Sequence, residues 1–264
     1  MNNYIIIGSK YYKNIQLDNL LDTFNKNIRC NICIPGNNCG TKIDEYFFNN
    51  HVYDNITNKI TNFVNNYKHI YDKNILEKFI IWINNNKYNI TKIYNNNNFN
   101  KIFQEINNFL KENKITQLKK PPRVGYISIF NAIKSNKYSN NIFVFGFSLC
   151  NYDTKIGYIG PLKTSDSHDS NSEQQVLIQL HNKKFIDASL CCLTDNSIPE
   201  LDCEIILPTI NTIQIILQHF TTCYLININL EDPLFNILFN NLNNESNLII
   251  KLNNEQKKIQ IQLN

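Results

Sequence analysis

The chain has 264 residues, 42% of them hydrophobic, which is enough for one large domain or a domain with a small appendage. Its formal net charge of +4, without a strong Lys/Arg cluster, permits an anionic ligand and argues against a nucleic-acid-binding surface. No run approaches the roughly 20 apolar residues of a membrane span, and the amino-terminal MNNYIIIGSK lacks the basic start of a signal peptide. We therefore expect a soluble, intracellular protein that binds no nucleic acid.

Apolar periodicity predicts an alternation of strands and helices along the chain. The predicted elements up to residue 136 are a strand at 4–7, a helix at 17–24, a strand at 27–34, broken helical segments over 56–82 and helices at 99–110 and 124–136. A strand at 142–147 and a helix ending near 183 follow, and then a β-α-β pattern at 204–207, 210–220 and 224–228, a helix at 233–242 and strands at 248–252 and 258–263. This order indicates an α/β fold with a mainly parallel sheet sandwiched by helices. We place the main domain at 1–195 and a small α/β extension, packed on it, at 196–264.

Ligands of parallel sheets bind at the carboxyl ends of the strands, where three stretches of this sequence lie. Gly8-Ser9 follows the first strand and could offer backbone amides to a phosphate. Asn31 lies near the end of the second strand, where an Asn can contact a base or ribose, or serve only as a polar edge residue. Gly146-Phe147 ends the strand at 142–147.

The stretch SHDSNSE, residues 167–173, separates into two roles. Ser170-x-x-Glu173 fits a capping box, in which the serine caps a helix and the glutamate reaches back to it. His168 precedes this box at the positive end of a helix dipole, which favours the neutral ring that a general base requires. The sequence therefore gives structural roles to Ser170 and Glu173 and makes His168 the candidate for chemistry.

Other candidate sites have weaker patterns. Cys30 and Cys33 form a CxxC pair, but no second pair follows at the spacing of a zinc site, and strand alternation explains them as well. His51 lies in the polar stretch NNHVY, which is either a ligand-contacting cluster or a polar strand end. No GxSxG and no HExxH occurs, so neither a serine hydrolase elbow nor a zinc protease motif is present.

Three ordered segments resemble the motifs of the eukaryotic-type sialyltransferase family. The long motif of that family runs from a strand and glycine turn to an Arg-x-Asn strand and a glycine loop, which here read IIIGSK, LLDTFNKNIRCN and NNCGTKID. The short motif has Pro and Gly before a helix and then a strand ending in Tyr-Gly-Phe, which here read PPRVGYISIFNAI and NIFVFGFS. The very short motif is His, four residues and Glu, which here is HDSNSE. The resemblance spans about residues 4–190.

The resemblance implies a GT-A-like, metal-independent inverting glycosyltransferase that moves a sugar, usually sialic acid, from a CMP-sugar to a glycan hydroxyl. It requires no cofactor, and the CMP-sugar is a co-substrate. His168 would be the catalytic base. The nucleotide site would comprise Gly8, Ser9, Asn31, Gly125, Gly146 and Phe147, and phosphate or acceptor contacts could come from Arg123, Tyr152 and His51.

The chain departs from the family pattern at several positions. Ser9 stands where the family has Asn, and Arg123-Val124 stands where it has Ser/Thr. The aromatic-rich histidine motif is not evident, with Tyr152 the nearest candidate, the paired cysteines are missing, and we expect no membrane anchor. Two alternatives therefore stay open: an inactive nucleotide-binding or interaction module on the same fold, and an α/β structural protein whose motif matches arise by chance.

Overall fold

The computed structural model describes residues 3–8, 21–31, 33–35, 40–67, 73–93, 96–135, 141–147, 168–192, 222–226, 246–252 and 255–261. Within these ranges the chain forms two β-sheets and a set of helices. The α/β class and the mainly parallel sheet predicted from the sequence are confirmed.

The main sheet has five parallel strands in the order β4-β3-β2-β1-β5. Their bounds are β1 Asn3–Ile7, β2 Lys26–Cys30, β3 Glu45–Asn49, β4 Ile90–Ile93 and β5 Asn141–Phe145. The chain adds strands on one side of β1 and then returns to place β5 on its other side. The strand order therefore reverses between β1 and β5, which is the position where such sheets open a crevice for ligands.

Helices cover both faces of this sheet. Their bounds are α1 Asn50–Asn58, α2 Ile60–Tyr67, α3 Lys73–Asn85, α4 Asn96–Glu112, α5 Val124–Ser135 and α6 Ser170–Asn182. Successive side chains of a strand point to opposite faces, and β3 shows the division. Tyr46 and Phe48 pack with α1–α3, whereas Phe47 belongs to the larger core formed with α4–α6.

Helix α5 is the central helix of the larger core. It packs against β1, β2, β3 and β5, and most of its residues are buried, among them Tyr126, Ile127 and Ile129. A helix that is apolar on most sides must lie inside the fold rather than on its surface. The first turn of α5 therefore lies over the sheet rather than in solvent.

A short segment after α6 returns to the outer edge of β5. The amide of Val144 donates to the carbonyl of Asp187 at 2.8 Å, and the amide of Asp187 donates to the carbonyl of Ile142 at 2.7 Å. The segment continues into a 3-10 helix, Ser189–Cys192, where the Cys191 thiol donates to the Val144 carbonyl. These contacts join residues 187–191 to the main sheet.

The second predicted strand is shorter than its alternating pattern suggests. Strand β2 ends at Cys30 rather than at Ile34, because Asn31 has a φ of 51° and turns the chain out of the sheet. Asn adopts this left-handed conformation more readily than most residues. Strands β3 and β4 were not predicted, since EYFFN and ITKI are short and carry polar ends.

A second, three-stranded sheet has the order β6-β7-β8 and the bounds β6 Thr222–Ile226, β7 Ser246–Leu252 and β8 Glu255–Ile261. These strands agree with the predicted strands near 224, 248 and 258, whereas the predicted strand at 204–207 and helices at 210–220 and 233–242 lie outside the described residues. The division of the chain at residue 195 stays a prediction. None of the helices in the described ranges is long and apolar enough to cross a bilayer.

Candidate functional site

Two glycines meet where β1 and β5 end. The amide of Gly8 donates to the Phe145 carbonyl at 2.8 Å, which extends the pairing of the two strands by one residue. A Cβ atom on Gly8 would lie 2.5 Å from the Gly146 carbonyl oxygen, and Gly146 has a φ of +75°. Both positions therefore require glycine, and main-chain atoms form the carboxyl edge of the sheet at the crevice.

The ring of Phe147 fills the space between these glycines and helix α5. It is 6% exposed and contacts Tyr126 edge-on, with 5.6 Å between ring centroids. A Cβ on Gly125 would lie 2.6 Å from Phe147 Cε1, and one on Gly8 would lie 3.0 Å from Phe147 Cε2. The predicted nucleotide residues Gly8, Gly125, Gly146 and Phe147 are thus brought together. Packing against the Phe147 ring also explains why two of them are glycines.

A hydroxyl group joins the start of α5 to the end of β2. Ser128 is fully buried, and its Oγ donates to the Gly125 carbonyl at 2.6 Å. The same Oγ lies 3.0 Å from Cys30 Sγ. Burial raises the pKa of Cys30 to about 12, so this group is a neutral thiol at physiological pH. Ser128 was not predicted as part of the site, because a serine in an apolar helix gives no sequence signal.

Asn31 follows Cys30 and supports the neighbouring strand. Its amide donates to the Phe47 carbonyl at 2.8 Å, and its Oδ1 accepts from the Asn49 amide at 2.9 Å. The side-chain oxygen is thus engaged in holding the ends of β2 and β3 together. The predicted role of Asn31 in nucleotide binding stays a prediction.

Two pieces of the long motif contact each other directly. Asp22 accepts from the amides of Thr41 and Lys42, each at 2.9 Å, and from the Thr41 hydroxyl at 2.6 Å. Burial opposes ionisation of Asp22, but these hydrogen bonds hold its pKa below the ordinary value. Gly40, with a φ of +70°, brings the loop back to Asp22, where a Cβ would lie 2.6 Å from Oδ1. The guanidinium of the fully buried Arg29 donates from Nε to the Lys42 carbonyl at 3.0 Å.

The expected capping box at the start of α6 is wrong. The N-cap is Asp169, whose carboxylate accepts from the amides of Asn171 and Ser172. Ser172 in turn donates from Oγ to the Asp169 carbonyl at 3.1 Å. An aspartate is as good a cap as a serine, so residue 169 takes this role and Ser170 and Glu173 are left for other contacts.

Glu173 pairs with Arg123, on the segment that leads into α5. Its Oε1 accepts from the Arg123 amide at 2.7 Å, and its Oε2 forms an ion pair with Nη1 of the same residue. Nη2 of Arg123 donates to Ser170 Oγ at 3.0 Å. Burial raises the pKa of Glu173, although the charge and hydrogen bonds of Arg123 oppose this. Both terminal nitrogens of Arg123 thus contact α6, and its predicted phosphate or acceptor contact remains a prediction.

His168 lies against the same segment. Its Nδ1 is 2.7 Å from the Pro121 carbonyl, which can only accept, so the ring donates from Nδ1. Burial is the largest cause that lowers the pKa of His168, and the charges of Arg123 and Lys120 lower it further, whereas the hydrogen bond to Pro121 opposes them. The ring is therefore neutral at physiological pH, with the proton on Nδ1 and the lone pair on Nε2. Pro121 was not predicted, since a carbonyl contact leaves no mark in the sequence.

The remaining predicted residues lie apart or outside the described part of the chain. Ser9 and Tyr152 are outside the described residues, and His51 lies in α1, where its side chain is not described. Cys30 and Cys33 are buried thiols. Within the described ranges no group of three or more His, Cys, Asp or Glu side chains could hold a metal ion.

The contacts form a continuous chain across the site. Gly8 and Gly146 meet Phe147, which meets Gly125 in the first turn of α5. The residues just before α5 carry the contacts to Glu173 and His168. The short segment 121–125 thus contacts the neutral imidazole of His168 at its first residue. At its last residue it packs, through Phe147, on the main-chain edge at the strand reversal.

Comparisons with known proteins give a likeness in fold. No protein-family model and no curated protein sequence matches the chain. Among solved structures, the fold is similar to that of the sialyltransferase CstII from Campylobacter jejuni, determined in complex with a substrate analogue, CMP-3FNeuAc. The two share 18% identity over 79% of this chain and 90% of the other, with a TM-score of 0.41. At this distance the likeness assigns no activity to this chain.

Proposed function

We propose that the chain is an inverting glycosyltransferase that moves a sugar of the sialic acid type from a CMP-sugar to a glycan hydroxyl without a metal ion. The observation that carries the proposal is the state of His168, whose ring is neutral and has Nε2 as a proton acceptor. The ring contacts residues 121–125, the segment that packs through Phe147 on the strand ends at Gly8 and Gly146. The ordered sialyltransferase-like motifs at residues 4–190 support the choice of donor and reaction.

His168 would act on the acceptor. Its Nε2 takes the proton of the acceptor hydroxyl while the hydroxyl oxygen attacks the anomeric carbon of the donor sugar. The bond from that carbon to the phosphate oxygen breaks, and CMP leaves with the electron pair from the opposite face. Attack and departure on opposite faces invert the configuration, and the proton ends on His168.

The strand reversal would hold the nucleotide. Gly8 and Gly146 end neighbouring strands at the strand reversal, and their main-chain atoms form the edge on which a phosphate or ribose would bind. At the start of α5 the amides of Tyr126 and Ile127 donate to the Arg123 carbonyl, so in this proposal the amides of Val124 and Gly125 would face the anionic leaving group. In this proposal the buried Phe147 ring supports the floor of the site from below rather than stacking on the base.

The first experiment measures CMP binding and donor turnover. CMP at about 100 times its dissociation constant should raise the free energy of unfolding by about 2.7 kcal/mol, seen as a rise in Tm. Release of CMP from CMP-sialic acid should be lost in His168→Ala while the CMP-induced rise in Tm remains. Asn171→Ala, an exposed position on the same helix, serves as the matched control and should keep turnover.

The two measurements test the catalytic base and nucleotide binding separately. Turnover that persists in His168→Ala would show that another group is the base. Absence of any CMP effect on Tm would contradict nucleotide binding altogether.

The second candidate is an inactive nucleotide-binding module on the same fold. Arg123 favours this candidate, because it stands where the sialyltransferase-like motif has Ser/Thr. Its guanidinium already contacts Glu173 and Ser170. A rise in Tm with CMP, without turnover of CMP-sialic acid by the unaltered chain, would select this candidate.

A further inference from the structure

Glu173 is the one carboxylate among the described residues that is almost fully buried, with 1% of its surface exposed. An unpaired charge in such a position would be strongly destabilising, and even a paired one gives little net stability. Glu173 is therefore a buried carboxylate whose charge is balanced by the partly exposed Arg123, next to a candidate base.

The contacts of Glu173 converge on the segment that orients His168. Its two oxygens hold the amide and the guanidinium of Arg123, and Ser170 holds the remaining terminal nitrogen. Pro121, two residues earlier, supplies the carbonyl that accepts the proton of His168 Nδ1. His168 itself precedes α6, the helix of Glu173, by two residues, so the pair of Glu173 and Arg123 joins the two segments that carry this hydrogen bond.

We propose that Glu173 is a positioning residue for His168: by holding Arg123 it fixes the Pro121 carbonyl, which keeps the ring proton on Nδ1 and leaves Nε2 as the acceptor. The role of Nε2 in catalysis rests on the proposed function, whereas the state of the ring is a property of the resting protein. The two can therefore be tested separately.

Imidazole nitrogen NMR tests the state of the ring directly. The chain has five histidines, so selective labelling with ¹⁵N-histidine gives a simple spectrum, and His168→Ala identifies the signals of residue 168. At a pH where the ring is neutral, the unaltered chain should show His168 with a protonated Nδ1 and an unprotonated Nε2. Glu173→Gln keeps a single acceptor oxygen and no charge, so it cannot hold the amide and the guanidinium of Arg123 together, and it should show a mixture of both tautomers.

Glu105→Gln is the matched control. Glu105 forms an ion pair with Lys134 at 3.0 Å on exposed helix surfaces, so the same chemical change there should leave the His168 signals unchanged. Should Glu173→Gln fail to fold, Arg123→Lys provides the same measurement. Its ammonium lacks the planar fork that contacts Glu173 and Ser170 together, so we expect the same change of tautomer.

Activity supplies the second readout. Glu173→Gln should lower kcat for CMP release about 10- to 100-fold, since small misplacements of a catalytic group cost rates of this size, and should keep the CMP-induced rise in Tm. A single Nδ1-protonated signal in a folded Glu173→Gln would overturn the positioning role. A change of tautomer in a chain that never turns over CMP-sialic acid would keep the positioning role and contradict the proposed reaction.

Discussion

At the scale of single residues, the state of His168 comes from neighbours that are distant in sequence. Pro121 and Arg123 lie 47 and 45 positions before it, and they set the ring proton and contribute to its charge environment. The sequence predicted a neutral ring from the helix dipole alone. The direction of that prediction agrees with the structure, but the largest cause is burial, which the sequence does not reveal.

The pH dependence of turnover should report His168. Its pKa lies below the ordinary value of about 6.5, and in the proposed reaction the neutral ring is the active form. Turnover should therefore be fully present above that pKa and lost as pH falls through it, with the midpoint of kcat/KM below about pH 6.5.

A charge variant checks this assignment. Lys120→Gln removes one positive charge that lowers the pKa of His168, so it should move the midpoint to higher pH. Lys119→Gln, its exposed neighbour, is the control and should move it less. A midpoint above pH 6.5 in the unaltered chain, or one that Lys120→Gln does not move, would contradict the assignment.

At the scale of elements, the site depends on how α5 packs on the ends of β1 and β5. The sequence predicted α5 and β5 nearly at their observed bounds, because both are strongly apolar and bordered by Pro or Gly. It could not show that Phe147 lies between Gly8 and Gly125, since these residues are far apart in the chain. From the sequence, Gly8, Gly125 and Gly146 could equally have been required for close approach of a ligand, for a turn of the chain or for packing against an aromatic ring.

Gly125→Ala tests this contact between the helix and the strand ends. In a helix this change usually stabilises a protein by up to about 1 kcal/mol. Here the new methyl group would lie 2.6 Å from Phe147 Cε1, so we expect a loss of about 1–3 kcal/mol in the free energy of unfolding, measured by chemical denaturation.

A second substitution shows whether the Phe147 ring is the cause. Phe147→Leu removes the ring atoms that the methyl group would meet, so the double variant should lose less stability than the sum of the two single variants. Additive losses, or a stabilising Gly125→Ala, would contradict the packing described above.

At the scale of the whole molecule, the chain forms two sheets from separate stretches of sequence. The main sheet and the segment that closes it lie within residues 3–192, and the second sheet lies within 222–261. The alternation of strands and helices was enough to predict this parallel architecture. The strand order was not predictable, since β3 and β4 are polar at their ends and only the structure shows that β5 returns beside β1.

A chain ending at residue 195 should fold without the extension. It keeps every strand of the main sheet and the buried Ile186, Ala188, Leu190 and Cys191, so circular dichroism should show a cooperative unfolding transition. A chain ending at residue 182 is the control, because it loses these four core residues and should not unfold cooperatively. A non-cooperative transition in the longer chain would show that the two sheets form one folding unit.

The short segment at Asp187 also affects the tendency of the protein to self-associate. Strand β5 ends the main sheet, and an open edge strand is a template on which a second chain can add a strand and begin aggregation. Asp187 occupies the middle of that edge with two main-chain hydrogen bonds. Its pairing gives this apolar strand, NIFVF, protection against self-association that does not depend on any ligand.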